Sequence, residues 1–116
     1  MRAYLKFSSG VVVPKTVIIA AAFVNACNEM ALNGEYWVTS GNDRVHAPNS
    51  AHYTDEALDF RSKTMTPADK QRMVTVLSRR LGPDYVVILE DEGGLNEHLH
   101  VQVRRERRRG GPTSIA

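Results

Sequence analysis

The sequence predicts an α+β fold in which a small antiparallel sheet packs against helices. Three observations carry this. Thr66-Pro67-Ala68-Asp69 opens a helix whose apolar residues recur at helical spacing. Residues 85–89 (YVVIL) and 98–103 (HLHVQV) read as two strands joined by a short turn. A polar stretch, residues 40–54, separates that helix from an earlier helix and strand. Helix, strand, long loop, helix and a final hairpin is the order expected when helices gather on one side of an antiparallel pair.

Ala3–Phe7 (AYLKF) alternates weakly and reads as a short edge strand. Pro14 suits the first turn of a helix, which extends to Leu32, with Asn33-Gly34 as its stop. Residues 36–39 (YWVT) are aromatic and β-branched, hence a strand. The loop at 40–54 holds Gly, Pro, two His and Arg, and a loop that long in a small chain is more often functional than idle. Thr66 is an N-cap, Pro67 occupies the first helical position and Asp69 the third. Met73, Val76, Leu77 and Leu81 form the apolar stripe, and Gly82-Pro83 terminates the helix. Residues 91–96 turn the chain into the last strand.

With 116 residues, 42% hydrophobic and 24% charged, the chain suits one folded domain and excludes wholesale disorder. The domain is read as residues 1–103, followed by a basic, disordered tail at 104–116. The net charge is +2, yet residues 104–109 alone hold five Arg and one Glu, so the body is mildly acidic. Such a tail suits contact with an anionic polymer. A single cysteine, Cys27, excludes an intrachain disulfide and any thiolate metal cluster, leaving His and carboxylates as metal ligands. Residues 17–24 (VIIAAAFV) are apolar, but too few to span a bilayer, which takes about 20. No signal peptide is recognised, so the protein is expected to be cytoplasmic at synthesis; a monomer is also expected.

The last strand is the informative one. With a period of two, His98, His100 and Gln102 share one face, and Leu99, Val101 and Val103 the other. The aliphatic face packs on helices, so both histidines project from the opposite side toward one site. Further donors stand upstream: His52 and Asp59 are separated by six residues. Imidazole nitrogen and carboxylate oxygen are ligands that Zn²⁺ accepts, and three of them leave a fourth position open for water.

S-x-H-x(6)-D at Ser50, His52 and Asp59, followed by E-x-x-H overlapping H-x-H at Glu97, His98 and His100, resembles the zinc peptidases that cut bacterial cell-wall peptides. That superfamily groups D-Ala-D-Ala carboxypeptidases, phage endolysin peptidases, lysostaphin-type endopeptidases and the Sonic hedgehog signalling domain. The resemblance covers residues 36–103 and includes the lead-in Val38-Thr39-Ser40-Gly41, similar to an I-T-S-G strand end. It implies a hedgehog/DD-peptidase-like fold and one Zn²⁺ per chain on His52, Asp59 and His100. Two departures stand out. Asp55 occupies a place where the family pattern has glycine. Arg44, matched to an arginine that steadies the oxyanion, stands one position late after Ser40-Gly41.

Both of the superfamily's general bases are present. Glu97 stands three before His100 and His98 two before it. Alternation puts His98 on the face of His100 and Glu97 on the other, which favours His98 unless the chain twists as it enters the sheet. Glu90 is a third candidate. As a base, His98 would act neutral, whereas Glu97 would need its pKa raised by burial. The substrate implied by the resemblance is a peptidoglycan peptide, held by residues 44–53 and by Gln102 beside the metal, with a phage-encoded lysis protein as one setting. The alternative is a catalytically degenerate zinc-binding domain with a binding or structural role.

Overall fold

The computed structural model describes residues 3–8, 17–40 and 56–104. Within them run β1 (Ala3–Phe7), α1 (Val17–Glu29), β2 (Gly34–Ser40), β3 (Ala57–Arg61), α2 (Pro67–Leu81), β4 (Tyr85–Glu90) and β5 (His98–Val103). The five strands form one sheet in the order β1-β2-β3-β5-β4. The fold class is α+β as expected, but the sheet is mixed and not purely antiparallel. β1 and β2 pair in parallel, Ala3 opposite Gly34 and Phe7 opposite Val38, because α1 returns the chain to the starting end of β1 before β2 begins. β3 was not foreseen as a strand: ALDFR is buried at four of its five positions, so no alternation of apolar and polar residues marks it.

Both helices pack on one face of the sheet. Ile19, Phe23, Ala26 and Cys27 of α1 and Met73, Val76 and Leu77 of α2 form one buried core with Val38, Leu58, Phe60, Leu99 and Val101 of the strands. At its centre the Phe23 and Phe60 rings stack at 4.2 Å, and Tyr36 meets Phe23 edge-on at 5.9 Å. The apolar run at 17–24 thus belongs to a core helix, and no helix among the described residues is long and apolar enough to cross a membrane.

α2 follows its sequence signals closely. Thr66 Oγ1 accepts a hydrogen bond from the Asp69 amide, Pro67 occupies the first turn, and Gly82 ends the helix at φ 85°. α1 ends earlier than its Asn-Gly signal. Ala31 adopts φ 57°, and the Leu32 amide donates to the Cys27 carbonyl at 2.8 Å, the long bond of a Schellman turn. Gly34, at φ 92°, opens β2 instead of stopping α1. The start of α1 predicted at Pro14 lies outside the described residues.

Candidate metal centre

Three adjacent strands carry the candidate site on the sheet face opposite the helices. Leu58 and Phe60 enter the helix-covered core, so Asp59 between them points the other way. The same alternation on β5 turns Leu99 and Val101 to the helices and His98, His100 and Gln102 to the Asp59 face. The register then closes the group: Asp59 pairs with His100, and Glu90 at the end of β4 pairs with His98.

Asp59, Glu90, His98 and His100 each offer one ligand atom, and these four atoms lie within 4.8 Å of one another. His100 Nδ1 is 2.9 Å from Asp59 Oδ1 and 3.6 Å from Glu90 Oε1. His98 Nε2 is 3.3 Å from Glu90 Oε1 and 3.8 Å from Asp59 Oδ1. Ligands bound at about 2.0–2.1 Å around a tetrahedral ion stand about 3.3 Å apart, a value that the four His–carboxylate separations of 2.9–3.8 Å bracket.

The far side of each imidazole strengthens the fit. His98 Nδ1 donates to the Asn96 carbonyl. Gln102 Nε2 donates to the Val103 carbonyl at 3.2 Å, which leaves its Oε1 to accept from His100 Nε2 at 2.8 Å. Both remote nitrogens therefore carry their protons outward. In the neutral rings the inner nitrogens then present lone pairs to two carboxylates, an arrangement that needs a cation, metal or proton, among them. Orienting hydrogen bonds of this kind accompany metal-ligating histidines. The group could hold a metal ion; Asp59 and His100 lie at its buried side, Glu90 and His98 at its half-exposed side.

Electrostatics agree. Desolvation, the largest single influence, lowers the His100 pKa, but hydrogen bonds to Asp59 and Gln102 and the charges of Asp59 and Glu90 together overcome it and raise the value above 6.5. The site attracts positive charge.

Glu97 is not brought to this group. Its carboxylate is turned to the helix side, where Oε1 accepts from Lys70 Nζ at 2.7 Å and from the Gly93 amide at 3.0 Å, and Oε2 from Ser62 Oγ at 2.6 Å. The Lys70 bond first, then those from Ser62 and Gly93, hold its pKa down at about 2. A base working near neutrality would need the opposite shift, and the strand's alternation persists to its first residues without the twist that would have turned Glu97 inward.

The predicted site residues therefore separate. Asp59, His100 and His98 come together, and Glu90, foreseen as a candidate base, joins them among the possible ligands. His52 and Arg44 lie outside the described residues, as does the tail beyond Arg104. Gln102, expected to meet substrate, is fully buried and orients His100. The Asn96 carbonyl was missed, since a backbone acceptor leaves no mark in the sequence.

No protein-family model, no curated protein and no solved structure matches this chain. What the fold and the cluster define is a class: an α+β protein with an Asp–Glu–His–His group able to hold a metal ion.

Proposed function

We propose that the protein is a metal-dependent hydrolase of the zinc class. The carrying observation is the convergence of four ligand atoms within 4.8 Å, with both imidazoles oriented from behind by carbonyl oxygens. The motifs shared with cell-wall zinc peptidases point to a peptide bond of peptidoglycan as substrate. Asp59 and His100, the buried pair, are assigned to hold the ion, together with His52 as the resemblance implies. The ion supplies Lewis-acid polarisation of a carbonyl and acidifies water.

The remaining work falls to His98 and Glu90. Hydrolysis of an amide requires a group that takes a proton from the attacking water and returns one to the leaving nitrogen. Neutral His98 has its Nδ1 proton engaged by the Asn96 carbonyl, so its Nε2 lone pair is directed into the site. After protonation, Nε2 faces Glu90 Oε1 at 3.3 Å, and that carboxylate stabilises the imidazolium. Glu97, already paired with Lys70 on the helix side, takes no part in this proton transfer.

A second reading has one specific support. Asp59, Glu90, His98 and His100 are as many donors as a tetrahedral ion accepts, and a site closed by four protein ligands is structural, with no position for water. The chain would then be a metal-stabilised binding protein.

Elemental analysis of protein purified without chelator or metal-affinity resin tests both readings. About one zinc per chain in the unmutated protein, retained by His98→Ala with loss of peptidoglycan hydrolysis, supports the hydrolase. Loss of metal in His98→Ala favours the closed structural site. A protein that takes up no metal on titration overturns both.

A further inference from the structure

We propose that Glu97 is a positioning residue: the hub of a buried clamp that sets the direction of the His98 imidazole through the Asn96 carbonyl. The inference rests on the reading of His98 as part of a metal site, and it adds a device that no motif assigns.

Glu97 collects donors from three separate parts of the chain. Ser62 follows β3, Lys70 lies in the first half of α2, and Gly93 sits in the turn between β4 and β5. The side chains of Lys70 and Glu97 are 13% and 2% exposed, so the charges are largely withdrawn from solvent and depend on each other. One carboxylate thereby ties the turn to the segment that follows β3 and to α2.

The connection to His98 is covalent and short. The Asn96 carbonyl belongs to the peptide unit whose nitrogen is that of Glu97, so anchoring the Glu97 side chain restrains that peptide plane. This carbonyl is the acceptor of His98 Nδ1. The rest of the turn is braced in the same sense. The Asn96 amide donates to Asp91 Oδ2 at 2.9 Å, and Lys63 Nζ donates to the Leu95 carbonyl at 2.6 Å. Asp91 and Gly93 take the left-handed conformation, at φ 49° and 79°. At Gly94 a Cβ would stand 2.2 Å from an Asp91 carboxylate oxygen. The turn therefore has little freedom, and α2, on the far side of the sheet, contributes to aiming a ring on the site face.

The test uses the full chain with Glu97→Gln, Lys70→Met, Ser62→Ala and the double variant Glu97→Gln/Lys70→Met. Two readouts are needed: the ¹⁵N chemical shifts of the His98 ring in metal-free protein, which report its tautomer, and Co²⁺ titration followed by visible absorption. In the unmutated protein His98 is expected as the Nδ1–H tautomer. Each single variant should shift the ring toward Nε2–H, alter the Co²⁺ band with Co²⁺ still bound, and lower peptidase turnover about 10–100-fold. The double variant should be no worse than its more affected single parent. Ser62→Ala, the mildest change, keeps the test open if a charge variant fails to fold.

An unchanged His98 tautomer in folded variants overturns the clamp. So does Glu97→Gln with a normal Co²⁺ spectrum and abolished peptidase activity beside a fully active Lys70→Met, the pattern of a general base. Failure of the unmutated protein to bind Co²⁺ would refute the metal reading instead, while the tautomer measurement still decides the clamp.

Discussion

Asp59 and His100 stand directly opposite each other on β3 and β5, with Asp59 Oδ1 2.9 Å from His100 Nδ1. The two residues are 41 positions apart in sequence, yet the pair is buried on the sheet face that the helices leave uncovered. Most of what the protein is expected to do depends on this pair.

Asp59→Asn and His100→Ala should each lose stoichiometric metal, measured by elemental mass spectrometry after desalting. His98→Ala should keep the metal and lose turnover by about 10²–10⁴-fold, the usual contribution of a general base.

Metal uptake should depend on pH through His100. Its folded-state pKa lies above 6.5, so in metal-free protein the group stabilises the fold fully below pH 6.5, and that contribution fades as pH rises through the folded value. A metal must displace the same proton, so apparent affinity runs the other way and increases with pH until His100 is neutral. Calorimetric titration in buffers of different ionisation enthalpy should register proton release at pH 6, diminishing toward pH 9.

The Glu97 ion pair predicts an acid transition. A carboxylate whose pKa falls from 4.5 to about 2 on folding contributes stability that is complete above 4.5 and is lost as pH drops toward 2. Lys70→Met, which leaves Glu97 buried without its cation, should cost about 3–5 kcal/mol in urea denaturation at pH 7 and flatten the loss between pH 4.5 and 2.

Ala31 should be improvable. A left-handed φ of 57° suits glycine at a helix C-terminus, so Ala31→Gly should raise stability by about 0.5–1 kcal/mol, the reverse of the usual penalty for alanine at positive φ. An unchanged or lowered melting temperature would contradict this account of the end of α1.

Cys27 should be unreactive while the chain is folded. It is fully buried, and desolvation pushes its thiol up to about 12, only partly countered by a backbone hydrogen bond. Labelling by a thiol reagent at pH 8 should therefore require opening of the core and accelerate in step with added urea.

The parts legible in the sequence are those set by neighbours a few residues apart. Thr66, Pro67, Asp69 and Gly82 delimit α2 because caps and φ preferences act within one helical turn. The alternation of β5 assigned His98 and His100 to one face and Leu99 and Val101 to the other, since strand geometry alone dictates that parity. The association of Asp59 with His100 followed from no local rule of strand or helix geometry and was an expectation of the motif resemblance alone. Tertiary structure decided what depends on strand pairing and on burial. β3 escaped notice because it is buried at four of its five positions, so no apolar–polar alternation marks it, and the parallel β1–β2 pair because register between distant segments leaves no local trace. Glu90 entered the donor group because β4 runs antiparallel to β5 and brings its end beside His98. Glu97 has the right spacing for a base, but Lys70, 27 residues away, holds its carboxylate on the other side of the sheet. One residue of strand separates two opposite environments, and only the folded sheet establishes which charges occupy each.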